Sequence, residues 1–158
     1  MTEVRDLDPA TDAGWRDAWL ARHCGSPLQA RRGELLDVRG LPGLIAEQDG
    51  DPVGLLCYRE DGTQTRELVL LSAEPRWHGT GTALVRALIE RVNKGCVWVV
   101  TTNDNTDALR FYQRCGFRLR ALRPGAVDQA RSTVKPESPA TGAHGIPMRD
   151  ELELELRL

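Results

Sequence analysis

A strand-like apolar run, a tight two-glycine turn and an amphipathic helix follow one another between Glu67 and Val92. This succession constrains the fold more than any other stretch. Glu67-Leu68-Val69-Leu70-Leu71-Ser72 has the composition of a short strand, and Ala73-Glu74-Pro75 breaks it. In Arg76-Trp77-His78-Gly79-Thr80-Gly81 the glycines stand where the backbone must bend sharply and approach a ligand. From Thr82 onward, Leu84, Leu88 and Val92 recur at i, i+4 and i+8 beside Val85 and Ile89, one apolar stripe at helical spacing. Gly95 occupies the position of a helix-ending glycine. A helix opening at this turn presents unpaired N–H groups and the positive end of its dipole, which suits a phosphate or pyrophosphate.

Two other glycine-rich readings fail on spacing. A P-loop requires Gly-Lys-Ser/Thr after four residues, and the chain has no such triplet. A dinucleotide fold requires G-x-G-x-x-G, which is also missing. What remains is R-x-x-G-x-G, a weak pattern by itself and compatible with a purely structural turn.

A second motif lies one helix and one strand downstream. Val97-Trp98-Val99-Val100 is β-rich and runs into Thr101-Thr102-Asn103-Asp104-Asn105. Thr106-Asp107-Ala108-Leu109-Arg110-Phe111-Tyr112-Gln113-Arg114-Cys115-Gly116-Phe117 follows. Asn105 suits an N-cap and Asp107 a first helical turn. Ala108, Phe111, Tyr112 and Cys115 share one face, and Gly116 ends the helix before a strand from Phe117. With these two motifs in order, the sequence resembles the GNAT superfamily of N-acetyltransferases. The resemblance covers roughly residues 44–122 and extends more loosely through Gly145 to Leu154, an ending similar to that of small bacterial-type members that carry T-T-N-D-N.

The resemblance implies a single-domain α/β fold with a central mixed β-sheet and helices on both faces. It implies acetyl coenzyme A as co-substrate and direct acetyl transfer to a primary amine. Arg76, Trp77, His78, Gly79, Thr80, Gly81 and Thr82 would hold the pyrophosphate, largely through main-chain N–H groups. The N–H near Leu71 would polarise the acetyl carbonyl, and Asn105 would contact the pantetheine arm or serve as a plain N-cap. Tyr112 would lie near the sulfur as general acid, since a phenol near pKa ~10 is protonated at neutral pH; the other reading is a core aromatic like Phe111. Glu67 matches a glutamate that serves some members as general base, against an exposed strand-end residue. His78 points to solvent or phosphate, His144 is a loop residue facing solvent or the acceptor, and His23 reads as a helix-end surface residue. A non-catalytic acyl coenzyme A sensor is the alternative function.

The 158 residues suit one domain, with a donor-binding core at about 44–122, a long loop at 123–150 and a C-terminal strand at 151–158. A formal net charge of −2 with scattered charges argues against nucleic acid. No apolar run approaches membrane-spanning length, and the charged start is no signal peptide, so a cytoplasmic protein is expected. The partner is then a small-molecule amine or a protein amine, with a homodimer also compatible. Cys24, Cys57, Cys96 and Cys115 lie far apart, so no metal is expected and the thiols read as free, with the last three in buried positions.

Along the rest of the chain, Thr2–Leu7 reads as an edge strand and Pro9–Cys24 as a helix with Trp15, Ala18, Trp19 and Arg22 along one side. Gly25–Gly43 permits only short helical pieces. Asp49-Gly50 and Asp61-Gly62 mark turns between strands. In Arg123–Asp150 four prolines and three glycines rule out one long element, and Val127–Arg131 suits a helical turn. Glu151–Leu158 alternates charge and leucine at period two, a half-buried strand with its leucines inward. The acceptor side should fall to Gly25–Pro42 and Arg123–Asp150, where both charge signs occur.

Overall fold

The computed structural model describes residues 1–62 and 64–158. The elements run β1 (Thr2–Asp6), α1 (Ala13–Trp19), β2 (Leu28–Arg31), β3 (Glu34–Asp37), β4 (Gly43–Gln48), β5 (Asp51–Glu60) and β6 (Thr65–Ala73). Then come α2 (Thr80–Val92), β7 (Cys96–Thr102), α3 (Thr106–Arg114), β8 (Arg118–Arg123), α4 (Ala126–Ser132) and β9 (Glu151–Arg157). Seven strands join in the order β1-β4-β5-β6-β7-β9-β8. From β6 through α2 to β7 the chain makes the strand–helix–strand crossover that parallel neighbours require, so the sheet is mixed. The chain forms two compact units. The first comprises Met1–Gln29, Asp37–Val97 and Leu158, and the second Ala30–Leu36 and Trp98–Arg157.

In the first unit, β1, β4, β5 and β6 pair antiparallel in succession. Strand alternation sends neighbouring residues to opposite faces, and here both faces are covered. Ile45, Leu55, Cys57 and Leu70 pack with Trp19 and Leu20 from the α1 side, joined by Leu7 and Val38. On the other face, α2 lies across β1, β4, β5 and β6 and buries Leu84, Val85, Ala87 and Leu88. Gly54 in β5 makes this close approach possible. A Cβ there would stand 2.8 Å from Thr80 Cγ2 and 3.0 Å from Leu84 Cδ1.

Two local readings need correction. Gly25–Gly43 holds a two-stranded β2–β3 hairpin as well as a 3₁₀ turn at Val38–Gly40. Its turn is Arg32-Gly33, both at positive φ, a geometry usually signalled by asparagine or aspartate before glycine. The left-handed residue that closes α2 is Asn93, while Gly95 sits in the following turn.

The second unit is held by polar groups as much as by apolar ones. β8 and β9 pair antiparallel, with an irregularity that skips Arg120 in the register, while its guanidinium reaches Glu153 and Glu155 of β9. The leucine alternation of β9 predicts its glutamates outward, yet Glu151 and Glu153 are both buried. Glu151 accepts from the Arg32 amide at 3.0 Å, and Glu153 pairs with Arg123 at 2.6 Å. Within Arg123–Asp150, α4 is tied down at its start. Gly125 N–H donates to Asp150 Oδ1 at 2.8 Å, and Val127 N–H to Arg149 O at 2.9 Å. Of the four cysteines only Cys57 is buried; the other three are half-buried, and all are free.

The Gly54 contact gives the first test. Gly54→Val places branched carbons against Thr80 and Leu84, an overpacking that costs about 1–3 kcal/mol. At roughly 2–4 °C per kcal/mol for a chain of this size, a thermal melt should drop by several degrees. An unchanged melting temperature would show that α2 has room to lift.

Candidate active site

The first unit brings nine of the sequence-selected residues into one stretch of backbone. Glu74 N–H donates to Val53 O at 2.9 Å, so alternation turns the Ser72 and Leu70 amides toward β5 as well. The Leu71 and Ala73 amides then point to the opposite edge of β6. Just upstream, the register passes from Cys57↔Leu70 to Tyr58↔Leu68, leaving Val69 as a bulge. A bulge of this kind re-aims the strand beside it.

After the cis Glu74-Pro75 bond, Trp77 and Gly79 both adopt positive φ, 67° and 83°. Two left-handed residues within three swing the chain into α2, and Gly79 accepts from Ala83 N–H at 3.0 Å as the first helical bond. The amides of Thr80, Gly81 and Thr82 have no acceptor inside the helix. No side chain caps them, and the first turn carries no acidic residue. Thr80 is buried, while Arg76, Trp77, His78 and Gly79 are exposed. The Arg76 guanidinium lies over the Trp77 ring at 5.3 Å. What results is an open, positively polarised set of main-chain donors, the arrangement that favours an anionic oxygen ligand.

Glu67 is not an exposed strand-end residue. It is 1% exposed, and its Oε1 lies 2.9 Å from Arg59 Nη2 across the β5–β6 pair. Arg59 was not visible as a partner in the sequence, because the bulge sets the pairing of the two strands.

A group missed in the sequence gathers on the α1 side of β6. After Trp19 the helix continues as a π-helical turn, Leu20–Cys24, closed by Gly25 at φ 74°. Trp15 and Trp19 stack at 5.2 Å, and Trp19 and His23 at 4.3 Å. Trp19 Nε1–H donates to Ser72 Oγ at 3.0 Å. His23 Nδ1 faces Glu74 Oε1 at 3.9 Å, close enough for an ion pair but longer than a hydrogen bond. His23 is an exposed helix-end residue, as its place in the sequence suggests, with its ring against Trp19. Its signal in the sequence was the four-residue spacing Trp15, Trp19, His23, one stripe of a helix. Cys24 hydrogen-bonds to Ser72, and burial pushes its thiol up, which keeps it protonated.

In the second unit, Asn105 caps α3, its side-chain oxygen accepting from Ala108 N–H at 3.1 Å. The residues before it clip the later chain. Asn103 Oδ1 accepts from the Arg149 and Asp150 amides at 2.9 and 3.0 Å. Buried Asp104 accepts from Thr102 Oγ1–H at 2.5 Å and from Ala143 N–H at 2.9 Å. His144, at positive φ, lies 3.3 Å from Asp107 Oδ2 through Nε2 and is largely exposed. Tyr112 is buried between the Phe111 and Phe117 rings, at 5.2 and 5.4 Å. Burial pushes its phenol well above the usual range, with the Cys115 thiol adding to the effect. Among the described residues, no cluster of His, Cys, Asp or Glu could hold a metal ion, and no helix is long and apolar enough to cross a membrane.

Known proteins show the same arrangement of elements. A family model described as Acetyltransferase (GNAT) family matches residues 4–117. The uncharacterized protein YdhI of Bacillus subtilis is 34% identical over 138 residues, covering 85% of each chain. The IAA acetyltransferase of Bacillus cereus superposes over 100% of both chains with a TM-score of 0.77 at 19% identity. A Bacillus subtilis acetyltransferase in complex with CoA covers 100% of this chain and 99% of its own, with a TM-score of 0.68 at 20% identity. The chain belongs to the acetyltransferase (GNAT) family.

Proposed function

We propose that this acetyltransferase moves an acetyl group from acetyl coenzyme A to a primary amine by direct attack, without a covalent enzyme intermediate. The observation that carries the reading is the uncapped start of α2, where the Thr80, Gly81 and Thr82 amides follow the Arg76–Gly79 turn with no acceptor in the helix and no side-chain cap. Coenzyme A bound to a relative of the same fold supports the donor.

In this reading the α2 amides and Arg76 hold the pyrophosphate, and Trp77 and His78 flank it. Donors that are already oriented stabilise charge without reorganising as it develops. The Leu71 N–H, turned away from β5, donates to the acetyl oxygen as the amine attacks and negative charge grows there. Asn105 caps α3 with its oxygen and offers its NH₂ group to the pantetheine arm. As the C–S bond breaks, Tyr112 supplies the proton that the departing thiolate needs. A phenol raised by burial stays protonated through neutral and alkaline pH, so the acid form is always at hand. Glu67 is poorly suited to accept the amine's proton, because doing so would break its contact with Arg59 in a buried place. The acceptor is a small-molecule amine or an amine on a protein.

Release of free thiol from acetyl coenzyme A across a panel of small amines, polyamines, aminoglycosides and peptides tests this reading. Tight donor binding without turnover on any amine would instead favour an acyl coenzyme A sensor.

Two substitutions separate binding from chemistry. Tyr112→Phe should lower kcat by about 10²–10⁴-fold, the usual range for a general acid, with little change in acetyl coenzyme A affinity. Equal turnover in the variant would remove Tyr112 from the reaction. Gly79→Val forces a branched side chain into the left-handed region, at a cost of about 1–2 kcal/mol. Acetyl coenzyme A should then bind roughly tenfold more weakly by calorimetry, and unchanged affinity would exclude the turn from the donor site.

A further inference from the structure

We propose that His23 is the general base of the reaction, accepting the proton that the attacking amine sheds, with Glu74 as the residue that positions it. The inference rests on the acetyl-transfer reading above and names the group that this reading leaves open.

Three observations converge on His23. First, its place is fixed by the fold. The π-helical turn Leu20–Cys24 continues the Trp15–Trp19 ladder by one more ring, so the imidazole is stacked at 4.3 Å on Trp19. Single π-helical turns of this kind occur preferentially at functional sites. Second, Trp19 is anchored to Ser72, the residue next to Leu71, by a 3.0 Å hydrogen bond. Side-chain alternation puts Ser72 and Glu74 on the same face of β6. The histidine therefore stands on the face that begins one residue from the proposed carbonyl donor. Third, Nδ1 faces the Glu74 carboxylate. A carboxylate on that side favours a proton on Nδ1, and closing the 3.9 Å gap to a hydrogen bond as the ring takes up charge would leave Nε2 to receive the amine's proton. The imidazole side chain keeps 22% of its surface open, which an approaching amine or a relaying water requires.

The proton balance is complete. The amine nitrogen forms the N–C bond and releases one proton to His23 Nε2, giving an imidazolium beside the Glu74 carboxylate. The C–S bond breaks, and the thiolate takes its proton from Tyr112. His23 then returns its proton to solvent and Tyr112 regains one. The titratable groups beside His23 among the described residues are Glu74, just past the end of β6, and Cys24, its neighbour in the turn. Cys24 stays protonated and contributes no charge.

The experiment is a pH–rate profile of kcat/KM for the wild type, His23→Gln, His23→Phe and Glu67→Gln, using the best amine from the panel. The phenylalanine variant keeps a ring against Trp19 but has no base, so it separates packing from proton transfer. Both His23 variants should lose about 10²-fold in kcat near neutral pH, with acetyl coenzyme A affinity within twofold of wild type. Their rates should recover as rising pH deprotonates the free amine, which a packing defect would not reproduce. An active wild type with His23→Phe at full rate and an unchanged acidic limb overturns the inference and leaves acetyl transfer standing. So does loss of that limb in Glu67→Gln alone. A wild type that turns over none of the amines defeats the underlying reading, and the role of His23 with it.

Discussion

Main-chain N–H groups need acceptors, and the structure depends on where strand β6 and helix α2 leave theirs. Antiparallel pairing with β5 takes every second amide of β6 and frees the intervening ones, including Leu71, for the other edge. The turn after Glu74 then delivers the chain into a helix whose first amides have no partner by construction. One continuous stretch therefore turns the Leu71 amide away from β5 and ends in a helix start that no side chain caps. Neither requires a particular side chain, only that β6 bulge at Val69 and that the turn reach left-handed geometry twice. The requirement falls on glycine at Gly79 and on close packing at Gly54, where α2 meets β5.

The second unit solves a different problem. Its segment from Arg123 to Asp150 has little regular structure, and its backbone groups need partners that a sheet would otherwise supply. Asn103 and Asp104 provide them, each with a side chain directed at amides some forty residues away. Buried polar groups are tolerated when every one is paired, and here the pairing is dense. Gly142 approaches the Asp104 carboxylate too closely for a side chain to fit. The T-T-N-D-N run is thus a clip for the later chain as well as the lead into α3, and Asn105 completes it as the cap.

Much of this was legible because it follows from local rules. The stripe Leu84, Leu88, Val92 and the face Ala108, Phe111, Tyr112 set two helices, and Asp49-Gly50 set a hairpin turn now seen at φ 52° and 84°. In the Arg76–Gly81 turn one left-handed position was written in Gly79, whereas the other falls on Trp77 and Gly81 lies within α2. What escaped depends on contacts distant in sequence. Arg59 opposite Glu67, Glu74 opposite His23 and the Arg32 amide on Glu151 are all set by register, bulges or hairpin tips. The period-two reading of Glu151–Leu158 assumed water on the glutamate face. Partners waiting at Arg32 and Arg123 made burial of that face affordable, and no pattern within the strand could reveal them.

The environments of the ionisable groups divide their chemical roles. A group that donates a proton must hold one at the working pH, whereas one that accepts must be reachable and already oriented. Tyr112 has the first environment: buried among aromatic rings, with its phenol held protonated. Glu67 has neither, since its carboxylate lies buried against Arg59. Cys24 is shielded by burial and tied to Ser72, so its thiol is a poor nucleophile. His23 has the second environment, with one nitrogen turned to a carboxylate, one ring face against Trp19 and an open remainder. The helix that covers one face of the β4–β5–β6 sheet therefore also places, by running on for one π-helical turn, an imidazole beside the Glu74 carboxylate at the end of the strand it covers.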